Sequence, residues 1–187
     1  MYNFEIHITV QAINLEDFHN DCLDIGAKPI VIDLMNNDKQ VMTSQTEKCK
    51  TIFEAYDLAK EYTLYLSRNN PVHRIKIESC PKFIKETGFR TNEMYCEIHI
   101  PCHTELLEKF DFSQLKFKWH KSRNEFKDGV TFLTYRTFED EEDVPKALYD
   151  ISIFKENGLI LDDAKLHWEY AVYDSRINLD DKWLKGE

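Results

Sequence analysis

Apolar and polar side chains alternate strictly near the start of the chain. In residues 4–10 the even positions are apolar and the odd positions are Glu5, His7 and Thr9. A period of two predicts a half-buried β-strand. Further strands are predicted at 29–34, 40–45 and 72–79, and helices with an apolar stripe are predicted after Asn14 and Thr51. The first 80 residues therefore predict the order β-α-β-β-α-β.

The second half of the chain predicts the same order again. The motif at 5–8, Glu-Ile-His-Ile, recurs at 97–100, and a self-match of this kind indicates a repeated structural unit. Strands are predicted at 95–102, 115–120, 130–137 and 166–173, with a short helix from Thr104 and a longer helix that ends near Gly158. Turns are predicted at 36–38 and at Asp128-Gly129, which is typical of a hairpin.

This order predicts an α+β fold made by tandem duplication of a ferredoxin-like unit. The first unit would span residues 1–80, a linker 81–93, the second unit 94–174 and a C-terminal tail 175–187. Each unit would be an antiparallel four-stranded sheet with helices on one face and polar side chains on the other. Two such polar faces opposite each other would enclose a cleft or tunnel. The tail is mostly polar, and we expect its apolar residues Leu179, Trp183 and Leu184 to dock on the body or on a partner.

Composition narrows the classes of function. The chain has 187 residues, is 42% hydrophobic and carries a formal net charge of −10, so extended nucleic-acid binding is not expected. Its five glycines are dispersed, which excludes a Walker loop and a dinucleotide-binding fingerprint. No targeting segment or membrane-length apolar run is visible, and the odd number of cysteines forms no C-x-x-C pair. These features predict a cytoplasmic protein without membrane association.

The polar strand faces carry the candidate site. His7 and His99 are the candidate catalytic residues, because histidine titrates near neutral pH and each has a glutamate two positions away. The candidate ligand-binding residues share the outward phase of their predicted strands; they are Glu5, Thr9, Arg74, Lys76, Glu97, Lys116, Lys118, Arg136, His167 and Glu169. The alternative is that these faces are simply solvated. We predict no metal site, because no closed ligand spacing is visible, and the sequence names no cofactor.

Three functions follow from this pattern. The first is binding of a small anionic, phosphate-containing ligand in a polar cleft between two lobes, because several cationic side chains share that surface. The second is a metal-independent phosphoesterase that uses His7 and His99. The third is a protein-interaction module without a small-molecule site. Whether the protein is an enzyme stays open at this point.

Two short resemblances accompany these hypotheses. His7-Ile8-Thr9 resembles the H-x-T motif of two-histidine phosphoesterases, which implies acid–base roles for His7 and His99 and phosphate binding by Thr9; the second copy, residues 99–101, ends in proline and lacks the hydroxyl. The layout also resembles the triphosphate tunnel enzymes, which look like duplicated sheets around a charged channel. Their first strand reads E-x-E-x-K, whereas residues 5–9 keep only the first of these three positions.

Overall fold

The computed structural model describes residues 1–34, 39–161 and 166–185, so the turn predicted at 36–38 lies outside the described residues. Within them, the strands are β1 (Tyr2–Val10), β2 (Lys28–Asp33), β3 (Lys39–Cys49), β4 (Val72–Ser79), β5 (Tyr95–His103), β6 (His120–Asn124), β7 (Val130–Thr137) and β8 (His167–Asp174). The helices are α1 (Leu15–Asp24), α2 (Ile52–Leu66), α3 (Pro81–Thr87), α4 (Thr104–Leu107), α5 (Asp140–Glu156) and α6 (Asp181–Lys185).

All eight of these strands form one closed antiparallel barrel. Its order is β1-β3-β2-β6-β7-β5-β8-β4, and β4 pairs with β1 to complete the circle. Strands β4 and β8 join in the register Lys76↔Asp174, while β2 and β6 join through Ile32↔Asn124 and Asp33↔Arg123. These two seams connect strands from the first half of the chain with strands from the second half.

The prediction of two ferredoxin-like sheets made by tandem duplication is wrong. Separate sheets would leave β2, β4, β6 and β8 as edge strands with unpaired backbone groups. In the barrel these four strands pair across the two seams instead. The predicted cleft between two lobes is therefore replaced by the interior of a single barrel. The two strands that carry the shared sequence motif, β1 and β5, are separated in the barrel by β4 and β8.

The apolar faces of the strands point outward and are covered by helices. The even positions of β1, from Phe4 to Val10, are at most 4% exposed and belong to one continuous apolar core. That core includes Ala55 and Ala59 of α2 and Ile151 of α5. Burial of this outer layer supplies the main favourable free energy of folding, and the polar side chains of the same strands are turned toward the barrel axis.

Local sequence signals explain how the covering helices begin. The Asn14 side chain accepts a hydrogen bond from the Glu16 N–H at 2.9 Å, which caps α1. The Thr51 hydroxyl accepts one from the Glu54 N–H at 3.2 Å, and the Glu54 carboxylate accepts one from the Lys50 N–H at 2.7 Å. The Thr-x-x-Glu spacing thus fixes the start of α2 as a capping box does.

Two predicted segments differ from the observed elements. Most of the segment 115–120, predicted as a strand, precedes β6, which begins at His120. The Asp150 carboxylate holds its backbone by accepting hydrogen bonds from the N–H groups of Lys116 and Phe117 at 2.8 and 3.1 Å. Residues 81–93, predicted as a linker, contain α3. No helix in the described ranges is both long and apolar enough to cross a membrane.

Candidate functional site

The barrel interior holds a network of charged side chains that are shielded from solvent. Contacts within it join strands that are not neighbours in the sheet: Lys76 Nζ of β4 lies 2.9 Å from Glu97 Oε2 of β5, although β8 separates these strands. Such contacts are made across the interior. The side chains of Lys76 and Glu97 are only 12% and 2% exposed, so water screens their charges little.

Glu97 of β5 connects β7 and β4 within this network. Its Oε1 accepts a hydrogen bond from Arg136 Nε at 2.7 Å, and its Oε2 accepts one from Lys76 Nζ. Burial alone would raise its pKa, but Arg136 and Lys76 outweigh that effect and hold the pKa of Glu97 well below its ordinary value. The Arg136 guanidinium also stacks over the Tyr95 ring at 4.2 Å, a cation–π contact that fixes its orientation.

Arg74 forms the second cationic centre. Its Nε donates to Asp174 Oδ1 at 2.8 Å, its Nη2 donates to Asp174 Oδ2, and its Nη1 donates to Asp180 Oδ2 at 2.9 Å. The Tyr95 hydroxyl donates to Asp174 Oδ2 at 2.6 Å. A bidentate guanidinium–carboxylate pair of this kind is both strong and directional. Asp180 also accepts a hydrogen bond from Arg136, so both guanidinium groups meet on one carboxylate oxygen.

Lys76 contacts Glu78 as well as Glu97, and Glu78 forms a hydrogen-bonded pair with His7. His7 Nδ1 lies 3.1 Å from the Thr43 carbonyl oxygen, and His7 Nε2 lies 2.8 Å from Glu78 Oε2. A carbonyl and an ionised carboxylate only accept hydrogen bonds, so both ring nitrogens donate and the imidazole is charged. Burial opposes that charge, but Glu78 outweighs it and raises the pKa of His7. Burial alone would raise the pKa of Glu78, but Lys76 and His7 outweigh burial and lower that pKa to about 2.

His99, Glu78 and Glu169 converge beside this pair. One ligand-type atom from each lies within 4.8 Å of the other two, and His99 Nδ1 lies 2.9 Å from the Thr134 hydroxyl, which orients the ring. One nitrogen and two carboxylate oxygens are a donor set that could hold a divalent cation. Lys76 Nζ, 2.9 Å from Glu78 Oε1, already supplies a positive charge there.

Glu169 is the carboxyl group with the most unfavourable surroundings in this cluster. Burial raises its pKa to about 9, and repulsion by Glu78 and Glu5 and a hydrogen bond with Glu5 add to the effect. Two carboxyl groups can share a hydrogen bond only when one of them is protonated. Glu5 also accepts a hydrogen bond from the Ser44 hydroxyl at 2.6 Å. The cluster therefore holds a proton near neutral pH.

Most of the residues singled out from the sequence meet in this interior, whereas four do not. Thr9 is buried on β1, where it pairs in register with Arg74 of β4. Lys116 lies before β6, with its Nζ over the Tyr149 ring at 5.5 Å. Lys118 also precedes β6, and His167 is exposed at the start of β8. The residues that the network brings together are Glu5, His7, Arg74, Lys76, Glu97, His99, Arg136 and Glu169.

Four members of the network are absent from the predicted site. Glu78 and Tyr95 share the period-two phase of Lys76 and Glu97, so the alternation alone could have included them. The alternation does not identify Asp174, because β8 is irregular. Residue 77 pairs with residue 173 and Glu78 pairs with residue 171, so one residue of β8 has no partner on β4. The extra residue shifts the alternation and turns Asp174 inward. Asp180 lies beyond the strands, and no periodic signal marks it.

Comparisons with known proteins add no family to this description. No protein-family model matches the chain, no curated protein is significantly similar to it in sequence, and no solved structure is significantly similar to it in fold.

Proposed function

We propose that this protein binds a small phosphate-containing anion inside its barrel, at the cationic group formed by Arg74, Lys76 and Arg136. One observation carries the proposal: Arg74 Nη1 and Arg136 Nη2 both donate hydrogen bonds to a single oxygen of Asp180. Two guanidinium groups that point at one anionic oxygen are the arrangement that recognises phosphate groups.

The charge state of these side chains supports the proposal. Burial would favour loss of the proton, but Asp174 and Asp180 raise the pKa of Arg74, and Glu97, Tyr95 and Asp180 raise the pKa of Arg136. Both guanidinium groups thus stay cationic at any physiological pH. Their positions on β4 and β7 are fixed by backbone pairing, so little further ordering is needed when an anion binds.

Titration calorimetry on the full chain tests this function. The probes are orthophosphate, pyrophosphate and inorganic triphosphate, each with and without Mg²⁺, and acetate is the anion control. We expect saturable binding of a phosphate probe that Arg136→Lys weakens, because an ammonium group cannot reproduce the planar fork. Arg68→Gln, an exposed arginine after α2, is the matched control and should bind as the wild type does. Absence of binding in the wild type and in a variant that neutralises Asp180 would contradict the proposal.

A phosphoesterase activity is the second candidate. It is favoured by the Glu78 carboxylate, which lies 2.8 Å from His7 Nε2 and offers an oxygen within 4.8 Å of a His99 ring nitrogen. The two imidazoles therefore belong to one cluster and could act on one substrate as acid and base. Hydrolysis of bis(p-nitrophenyl) phosphate and of cyclic nucleotides would test it, and both His7→Ala and His99→Ala should abolish turnover. Activity that survives both changes would exclude this mechanism.

A protein-interaction role has less support. The large exposed apolar side chains are distributed over several elements, such as Leu23 on α1, Phe53 and Leu64 on α2, and Leu148 on α5. Single exposed apolar residues are normal on a protein surface.

The cysteines, all within the described residues, form no disulfide, which supports the expectation of a reducing, cytoplasmic location.

A further inference from the structure

The segment after β8, residues 175–184, crosses one end of the barrel; we call it the C-terminal segment. At its start, the Ser175 hydroxyl accepts a hydrogen bond from the Ile75 N–H at 2.8 Å, and the Ser175 N–H donates to the Ile75 carbonyl at 2.9 Å. Near its end, Trp183 Nε1 donates to the Lys121 carbonyl at 3.1 Å. Ile75 is on β4 and Lys121 on β6, two strands on different sides of the barrel. The segment therefore spans the opening.

Asp180 is the residue that this segment inserts into the barrel. Its carboxylate accepts hydrogen bonds from Gln40 Nε2 at 2.7 Å, from Arg74 Nη1 at 2.9 Å and from Arg136. These donors lie on β3, β4 and β7, and no two of these strands are neighbours in the sheet. A group that touches all three must lie where the polar faces converge. Asp180 is itself only 5% exposed.

We propose that the C-terminal segment is a displaceable plug: Asp180 occupies the position of an anionic group of the ligand, and a phosphate-containing ligand binds only when the segment leaves. This inference depends on the function proposed above and adds its regulation. In the closed state the ligand would meet no free guanidinium edge, because the Arg74 and Arg136 side chains are 3% and 5% exposed.

Charge balance favours exchange of one anion for another over addition of a second. Arg74 is already paired with Asp174, and Arg136 with Glu97, within the strands. A phosphate placed beside Asp180 would add negative charge to a region that already contains three carboxylates, at low dielectric, where like charges repel strongly. If Asp180 leaves when the ligand enters, that repulsion is avoided and both guanidinium groups keep an anionic partner.

The attachment of the segment suits a reversible opening. Its four large apolar side chains, Ile177, Leu179, Trp183 and Leu184, are only partly buried, and the Trp183 ring lies against the His120 ring at a centroid distance of 5.4 Å. Elements with little buried apolar surface open at low free-energy cost compared with global unfolding. Asp180, which accepts hydrogen bonds from three strands, holds the segment to the barrel interior.

The affinity test compares three full-length proteins in calorimetric titrations with inorganic triphosphate and orthophosphate. Asp180→Asn keeps the size of the side chain and its contact with Gln40 but removes the competing charge. We expect it to bind the better probe about tenfold more tightly or more, since a competitor that is removed raises the fraction of open protein. Asp57→Asn makes the same chemical change on α2, where the side chain is 68% exposed, and should bind as the wild type does.

Hydrogen–deuterium exchange follows the segment itself. In the wild type, saturating triphosphate should increase amide exchange in residues 175–184, and Asp180→Asn should increase it without any probe. If Asp180→Asn proves too unstable to use, Trp183→Ala serves instead, because it removes the contacts with His120 and Lys121 but leaves both guanidinium groups in place. It should also tighten probe binding.

The outcomes separate the two proposals. If Asp180→Asn and Trp183→Ala bind a probe with the same affinity as the wild type, and amide exchange in the segment does not change, the segment is a permanent part of the barrel. That result would refute the plug. If no probe binds to the wild type or to either variant, the anion site itself is refuted, and the plug with it. Tighter binding by both variants, together with faster exchange, supports the plug.

Discussion

Replacement of Glu169 by glutamine should stabilise the protein, and the gain should grow as the pH rises. Glu169 faces Glu5 on β1 and both Glu78 and Lys76 on β4, and it is the cross-strand partner of Glu97 on β5. Three carboxyl groups thus surround it, against one ammonium group. The amide of glutamine has nearly the same shape and can still donate a hydrogen bond to Glu5, but it cannot ionise.

The magnitude follows from the difference between the folded and unfolded proton affinities. Burial, together with Glu78 and Glu5, raises the pKa of Glu169 from 4.5 to about 9. Between these values the folded protein holds a proton that the unfolded chain has lost, so the free energy of unfolding falls as pH rises. Each pH unit corresponds to about 1.4 kcal/mol, which gives about 4 kcal/mol between pH 5 and pH 8 as an upper bound. Relaxation and water entry reduce this, and we expect about 2 kcal/mol.

Urea unfolding monitored by tryptophan fluorescence measures this difference. The free energies of unfolding of the wild type and of Glu169→Gln are compared at pH 5, 6, 7 and 8, and the difference between them should increase steadily. Glu61→Gln, an exposed glutamate on α2, controls for the loss of one negative charge and should show a flat difference. A flat difference for Glu169→Gln as well would refute the prediction, because it would show that this carboxyl group is not protonated in the folded state.

Three further predictions concern the same interior and the thiols. His7→Gln should destabilise the protein most below pH 6.5, because the pKa of His7 is raised in the folded state and its contribution is lost as pH rises through that value; a set of thermal melts from pH 5.5 to 8.5 checks this. Arg74→Met should cost about 3 kcal/mol or more in urea unfolding, since it leaves Asp174 buried without its cation, and a loss below about 1 kcal/mol would contradict the buried pair. In the native protein, Ellman's reagent should modify Cys80 first, because the other cysteines are buried, whereas all five thiols should react in denaturant.

The alternation of residue types predicted the strands well where both faces are regular. Residues 72–79 and 130–137 match β4 and β7 as predicted. The prediction failed at 115–120, because the Asp150 carboxylate of α5 holds the backbone there in place of a neighbouring strand. A contact between residues so far apart in the chain leaves no periodic trace. The alternation therefore predicts a strand face for Lys116 and Lys118, although both precede β6.

The closure of the barrel could not be predicted from the pattern either. Period two identifies which side chains share a face, but it does not identify which edge strands pair, and both seams join residues about 90 to 100 positions apart. The inward-facing residues Glu5, His7, Lys76 and Glu97 were therefore recognised, while their environment was not. Side chains expected on an open, polar sheet face lie instead in an enclosed interior.

Enclosure constrains what this interior can accept. Its network contains six carboxyl groups and three Lys or Arg cations: Glu5, Glu78, Glu97, Glu169, Asp174 and Asp180 against Arg74, Lys76 and Arg136. The raised pKa of Glu169 and the raised pKa of His7 both reduce that surplus of negative charge. A polyanion that displaced Asp180 would bring more negative charge than it removes and would increase that surplus again. Binding would then be opposed, because buried charge that is not balanced is costly. A phosphate ligand that brings protons or a divalent cation would not increase the surplus, and Mg²⁺ should therefore strengthen triphosphate binding more than orthophosphate binding.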